Sequence, residues 1–137
     1  MKKRIVAMIM TLVMIAAVTT VASAAKPVKT FTVVVNNVTP TNVTFTVSWN
    51  KIGAYKCYAY ASAKTDTGGY QGIAMSTIYD GKRLASYETT ATLTFGSGQT
   101  YPSDFILSGR LFHVYAYLID RTGNSIEYAE SVWGTIP

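Results

Sequence analysis

Few side chains in this chain of 137 residues could attack a substrate, transfer a proton or bind a metal. The single histidine, His113, and the single cysteine, Cys57, are the pair that could do nucleophilic chemistry, because a neighbouring histidine activates a thiol. Glu127 and Glu130 are three positions apart, and because this offset is odd, on a strand they would point to opposite faces. No alternating Asp run suits calcium. We therefore predict no enzyme activity, no metal site and no cofactor.

The N-terminal residues have the pattern of an export signal. Three basic residues, 2–4, precede an apolar run, 5–18, and the small residues 22–24 supply a cleavage site. The apolar run is shorter than the ~20 residues that cross a bilayer. We expect residues 1–24 to be a signal peptide cut after Ala24, leaving no membrane span, in a protein secreted by a bacterium.

Removal of the signal changes the charge balance of the chain. Of the 12 Lys and Arg residues, three lie in the signal, so nine basic residues face seven Asp and Glu in residues 25–137. This small, scattered excess gives no reason to expect a nucleic-acid partner. The length of residues 25–137 predicts a single domain.

Segments rich in Val, Thr, Tyr and Phe alternate with turn formers along this domain, and none has a helical apolar period. The predicted strands are residues 30–35, 43–49, 54–62, 70–79, 82–88, 89–95, 111–119 and 125–136. Asp80-Gly81 predicts a tight hairpin turn between two of them, and Asp120 begins a second turn. The pattern predicts an all-β fold, a two-sheet antiparallel β-sandwich of seven to nine strands.

Four segments of the domain resemble a fibronectin type III or related immunoglobulin-like domain. They are Asn42 to Asn50, Ala54 to Tyr58, Ile106 to Val114 and Asp120 to Asn124, similar in turn to the second strand, the third strand, the approach to the sixth strand and the last hairpin turn of that family. The resemblance implies an immunoglobulin-like topology with Trp49 in the core. It also implies that the third and sixth strands are neighbours in one sheet.

The resemblance bears directly on the cysteine and histidine. It implies that Tyr55 and Phe112 face the core, and strand alternation then turns Cys57 inward and His113 outward. A catalytic dyad is not expected, because a thiol nucleophile needs exposure and a nearby base. We predict that Cys57 is a buried core residue, which would also keep it from bridging two molecules.

Tyrosine is the remaining distinctive feature, since all ten tyrosines lie within residues 25–137. The same alternation sends five side chains to the outer face of the sheet: Tyr58, Tyr60, His113, Tyr115 and Tyr117. Tyrosine offers a large contact area at small rotamer cost and keeps a hydrogen-bonding group, which suits sugar stacking or a protein interface. The alternative is that these rings only stabilise the sheet, by roughly 0.2–1 kcal/mol per cross-strand pair. Trp133 could join either this patch or the core.

From this pattern we expect a secreted, noncatalytic binding or adhesion module that engages an extracellular protein or carbohydrate through its aromatic sheet face. The alternative is a structural or surface protein that associates with further copies of itself through a sheet edge or face, as a homo-oligomer. A secreted enzyme inhibitor is a third and less favoured class.

Overall fold

The computed structural model describes residues 25–137, and the predicted signal peptide lies outside them. All regular structure in this part of the chain is β-strand. The strands are β1 (Thr30–Val38), β2 (Asn42–Lys64), β3 (Tyr70–Thr94), β4 (Leu111–Ile119), β5 (Ser125–Glu130) and β6 (Gly134–Thr135). Every pairing between them is antiparallel, so the prediction of an all-β antiparallel fold is confirmed.

Two long strands, β2 and β3, organise the sheet. The first half of β2 pairs with β1 on one side and with the second half of β3 on the other. The second half of β2 pairs with the first half of β3 and with β4, beyond which β5 continues the sheet. The described strands therefore form one six-stranded sheet curled into a half-barrel, where seven to nine strands in two sheets were expected.

A bend in β2 lets one strand serve both halves of the sheet. Lys51 and Gly53 have positive φ values of 55° and 69°, and the pairing with β3 shifts register between Asn50 and Ala54. Extra residues of this kind bend a strand and increase its local twist. The predicted strands 43–49 and 54–62, which lie on either side of this bend, are for this reason one strand, β2.

The prediction of a hairpin turn at Asp80-Gly81 is wrong. β3 continues through both residues, and Gly81 is not among the glycines with the positive φ that a tight type I′ turn requires. Asp80 instead pairs with Lys56 of β2, whose Nζ lies 3.3 Å from Asp80 Oδ2. Pairing along the length of β2 outweighs the local turn preference, so the predicted segments 70–79, 82–88 and 89–95 are one strand.

The hydrophobic core fills the inside of the curl. Its largest fully buried side chains are Phe45, Val43 and Val47 of β2, Ile73 and Leu93 of β3, Phe112, Val114 and Leu118 of β4, and Ile136. Trp49 is also buried, as predicted, with 3% of its surface exposed. Its indole Nε1 donates a hydrogen bond to the Leu84 carbonyl at 3.2 Å, which satisfies the polar atom of a buried ring.

Ser131 fixes the segment after β5 to the neighbouring strand. Its buried hydroxyl accepts a hydrogen bond from the Val114 amide at 3.0 Å, and its own amide donates to the Val114 carbonyl at 2.7 Å. The Ser131→Ala variant leaves a buried amide without its partner, so we expect urea denaturation to show a loss of about 1–3 kcal/mol in the free energy of unfolding. The exposed Ser108→Ala change is the control, with an expected effect within about 0.5 kcal/mol. Equal effects of the two variants would contradict this role of Ser131.

Candidate functional site

The second half of β2 and all of β4 lie side by side with alternate residues on opposite faces. The inner positions are buried: Cys57, Ala59, Ala61, Phe112, Val114, Ala116 and Leu118. The outer positions are half-buried: Tyr58, Tyr60, His113, Tyr115 and Tyr117. Register places Tyr58 opposite Tyr117, Tyr60 opposite Tyr115 and Ser62 opposite His113. The structure therefore brings all five predicted residues to one face.

Tyr55 departs from the predicted alternation. It is half-buried and lines a surface cleft, whereas Ala54 and Cys57 are fully buried. The register of β2 against β3 shifts between Ala54 and Lys56, at Tyr55 itself. Such a bulge resets the phase of the strand, so period-2 counting from Cys57 back to Tyr55 fails.

The outer rings pack against one another. Tyr60 and Tyr115 are stacked, with centroids 5.2 Å apart and planes 10° from parallel. Tyr117 meets both rings edge-on, at 6.1 Å from Tyr60 and 5.9 Å from Tyr115. Tyr58 is the outer member of the row and makes no ring contact among the described residues. These offset and edge-on arrangements are the favoured ones for aromatic pairs.

Three further aromatic residues extend the patch. Tyr128 of β5 lies 5.2 Å from Tyr117, and its hydroxyl donates to Glu130 Oε2. Trp133 stacks on His113 at 4.0 Å and on Tyr70 at 5.4 Å. We call the eight residues the tyrosine face: Tyr58, Tyr60, Tyr70, His113, Tyr115, Tyr117, Tyr128 and Trp133.

The sequence analysis did not place Tyr70 or Tyr128 on this face, and it left open whether Trp133 belongs to the face or to the core. The available signal for Tyr128 was the alternation of β5, which puts it on the same face as Glu130. Tyr70 sits at the first position of β3, and Trp133 lies in an irregular segment before β6, so neither has a strand phase to count from. These two residues meet only because β3 and the C-terminal segment converge.

A shallow cavity of about 230 Å³ lies within the tyrosine face. Its walls are Ser62, Tyr70, His113, Tyr115, Tyr117 and Tyr128. Tyr70 and Tyr128 are 63% and 45% exposed, so the rim of the cavity remains accessible. Glu130 and Lys64 add one charge of each sign at its margins, since Glu130 contacts Tyr128 and the Lys64 ammonium lies 5.6 Å from the Trp133 ring centroid.

His113 is held in its neutral form within this patch. Burial lowers the pKa of His113, and the nearby Glu130 carboxylate opposes that shift only in part. His113 Nδ1 lies 3.4 Å from Glu130 Oε2 but outside hydrogen-bond geometry, so the contact is weakly electrostatic. Burial also raises the pKa of the Tyr60 and Tyr128 phenols. These two phenols are therefore protonated at neutral pH, and a phenol hydroxyl can both donate and accept hydrogen bonds.

The lowered pKa of His113 makes stability depend on pH. As the pH falls below 6.5, the ordinary pKa of histidine, the unfolded chain takes up a proton that the folded chain does not accept until a lower pH. The free energy of unfolding therefore decreases through that window. We expect a lower urea midpoint at pH 5.5 than at pH 7.5, with a smaller difference in the His113→Gln variant.

Asp66 and Asp120 act on stability at lower pH than His113. The pKa of Asp66 is lowered by Arg110 and that of Asp120 by hydrogen bonds from Thr122 and Asn124, so their stabilising effects are lost only at pH values below about 4. The same pH dependence in the wild-type protein and in the His113→Gln variant would contradict the assignment to His113.

Cys57 faces the core, opposite to His113. Its surface is fully buried, and this burial raises the pKa of its thiol to about 12. We expect an aromatic disulfide reagent to leave the native protein unlabelled and to titrate one thiol after unfolding, because the thiolate is the reactive form. Labelling of the native protein at the rate of the unfolded chain would contradict this burial.

No set of three or more His, Cys, Asp or Glu side chains converges on a common point within residues 25–137. The same stretch holds no helix of the length and apolar character needed to traverse a bilayer. Comparison with known proteins gives no match to any protein-family model and no significant similarity to a curated protein. The tyrosine face is accordingly assigned from its own geometry and chemistry.

Proposed function

We propose that this chain is a secreted, noncatalytic binding module that engages an extracellular protein through the tyrosine face. The observation that carries the proposal is the gathering of eight aromatic side chains on one partly exposed face of a sheet. Contiguous exposed patches of this kind mark interaction surfaces, and tyrosine and tryptophan are enriched among the residues that dominate binding energy.

Ring packing favours a protein over a carbohydrate as the partner. A sugar stacks on an open, flat ring, but stacking removes one ring face each from Tyr60 and Tyr115, and Trp133 stacks on both His113 and Tyr70. The face also offers ring edges, phenol hydroxyls and a shallow cavity of about 230 Å³. Such a surface suits an anchoring side chain from a protein partner, with hydroxyls around it to hydrogen-bond the partner's backbone.

Sheet stabilisation alone accounts for part of this arrangement. Cross-strand aromatic pairs such as Tyr60 with Tyr115 stabilise a sheet without any ligand. Sheet stabilisation does not account for Tyr70, which is 63% exposed at the edge of the tyrosine face, or for Tyr128, which is 45% exposed on β5. Large rings left in water beside a cavity favour a binding role.

The curled sheet is compatible with an immunoglobulin-like sandwich. We propose that its two halves act as the two layers: β1, the first half of β2 and the second half of β3 form one, and the remaining strand segments form the other. Support comes from β1, which lies close to β4 and β5 without hydrogen-bonding to either. The bend at Lys51–Gly53 would be the point where β2 passes from one layer to the other.

Partner capture tests the binding role. The immobilised wild-type protein is exposed to extracellular proteins and to a glycan array, beside a variant with Tyr58, Tyr60, Tyr115 and Tyr117 changed to Ser. A matched control changes four threonines on the outer face of the other half of the sheet to Ser: Thr44, Thr46, Thr90 and Thr92. We expect a protein captured by the wild type and the threonine variant but not by the tyrosine variant.

Two outcomes would overturn the proposal. Capture of the same protein by the tyrosine variant would remove this face from the site, and binding confined to glycans would replace the partner class. Light scattering addresses self-association, since oligomers that grow with concentration would favour a second copy as the partner.

The outer edge of β3 is already covered at Met75, whose amide donates to the Ser97 carbonyl at 2.9 Å. A covered edge cannot pair with a strand of a second copy.

A further inference from the structure

A second cleft, of about 430 Å³, opens where the bend of β2 meets the turn between β4 and β5. It shares no residue with the tyrosine face. Three cationic side chains line it, together with apolar side chains and with carboxylate and hydroxyl groups: Lys29, Arg83, Arg121, Ile52, Tyr55, Ile126, Asp120, Thr122 and Glu127. Its volume is within the range of about 300–1,000 Å³ typical of small-ligand sites.

The three cations have no ion-pair partner within residues 25–137. The pairs found there are Lys56 with Asp80, Arg110 with Asp66 and His113 with Glu130, and all of these lie outside the cleft. Unpaired cations on the walls of a concave site concentrate positive potential there. The three cations outnumber the two carboxylates of the cleft, Asp120 and Glu127, and a ligand with an anionic group would balance the remaining positive charge.

Arg83 is positioned before any ligand arrives. Its Nε donates to the Gly53 carbonyl at 3.2 Å, which leaves both terminal nitrogens for a ligand. The guanidinium lies so close to Gly53 that an added Cβ there would be 2.8 Å from Nε. Gly53 has a positive φ and no side chain, and both features allow the Arg83 guanidinium to pack directly against its backbone.

The opposite wall is also rigid. Asp120 Oδ1 accepts hydrogen bonds from the amides of Thr122 and Asn124, at 2.8 and 2.9 Å, and from the Thr122 hydroxyl. This network closes the turn that carries Arg121 at its tip. The two arginine-bearing walls are therefore set by backbone geometry, which lowers the ordering entropy lost on binding.

We propose that this cleft binds an acidic saccharide, through the carboxylate of a hexuronate unit. The guanidinium groups of Arg83 and Arg121 match a carboxylate with forked hydrogen bonds. Tyr55, Ile52 and Ile126 offer an apolar wall to the C–H face of a sugar ring. Glu127 and Thr122 can accept hydrogen bonds from sugar hydroxyls, whereas a bare inorganic anion would be repelled by Glu127 and would leave the apolar wall unused.

Calorimetry with a trigalacturonate probe tests this site. We expect binding that weakens with salt, and little binding of the methyl-esterified trimer, which keeps the sugar but lacks the charge. Changing both Arg83 and Arg121 to Gln should weaken binding by at least about tenfold, since each charged hydrogen bond lost is worth roughly a factor of ten. Lys82→Gln is the matched control, because Lys82 adjoins Arg83 in sequence and does not line the cleft.

Three results would overturn the proposal: no binding of trigalacturonate, equal binding of the methyl ester, or equal weakening by Lys82→Gln and by the Arg83 and Arg121 double change, which would mean nonspecific charge attraction. A Tyr60→Ser and Tyr115→Ser variant should retain the trigalacturonate affinity. This last measurement separates the cleft from the tyrosine face, so failure of either proposal leaves the other standing.

Discussion

Replacing Trp49 with alanine is expected to lower the free energy of unfolding by about 3–5 kcal/mol, among the largest effects of any single change in the domain. Trp49 ends the first half of β2, directly before the bend. Its ring lies 6.3 Å from Phe31 of β1 and 5.6 and 4.8 Å from Tyr79 and Tyr87 of β3. One side chain therefore fastens three strands at the point where the sheet changes direction, and the Leu84 carbonyl loses its indole donor when the ring is removed.

Urea denaturation of the Trp49→Ala and Trp49→Phe variants measures this contribution. The phenylalanine variant keeps most of the ring contacts and loses the hydrogen bond, so we expect a smaller loss than for alanine. Val132→Ala is the surface control, because Val132 is 90% exposed and its loss should change stability by less than about 0.5 kcal/mol. A loss below about 1 kcal/mol for Trp49→Ala would contradict the role of the ring at the bend.

Removing the central stacked pair, with Tyr60→Ser and Tyr115→Ser together, is expected to weaken binding of the captured protein partner by at least about a hundredfold. Tyr115 contacts Tyr60, His113, Tyr117 and Tyr128, which makes it the most connected ring of the face. Two central aromatic residues of an interface commonly contribute about 2 kcal/mol or more each, and 1.4 kcal/mol corresponds to a factor of about ten.

The same double variant should remain folded. Both rings are only half-buried and lie outside the core, so we expect the free energy of unfolding to fall by the order of 1–2 kcal/mol. The matched control is Thr46→Ser with Thr90→Ser, a cross-strand pair joined at 2.9 Å on the other half of the sheet. Surface plasmon resonance with each variant gives the affinities, and a hundredfold loss in the threonine control would point to a global effect.

Strand phase was predictable wherever a strand is regular. In β4, the outer residues His113, Tyr115 and Tyr117 alternate with small or aliphatic inner ones, and the observed burial alternates without interruption over all nine positions of the strand. The second half of β2 follows it from Cys57 onward, which is why all five predicted outer residues share one face. Tyr55 could not be placed because it lies in the bulge between Ala54 and Lys56, outside the regular stretch.

Strand length was the weakest part of the prediction, for a physical reason. Asp80-Gly81 has the local preference of a turn, but the pairing of β3 with β2 resumes on both sides of it, and long-range pairing is not visible in a local pattern. The same limit applies to Tyr70 and Trp133, whose contact joins the start of β3 to the C-terminal segment. Arg83 and Arg121 escaped notice for this reason too, since the cleft exists only once the bend of β2 has formed.

Hydroxyl-radical footprinting of the protein with and without its captured partner tests directly whether the tyrosine face is the binding site. We expect the partner to protect Tyr60, Tyr115, Tyr117 and Tyr128, while labelling of Tyr87 and Tyr101, which lie outside the tyrosine face, stays unchanged. Protection of Tyr87 or Tyr101 with unaltered labelling of the four outer tyrosines would contradict it, because the partner would then occupy a different surface.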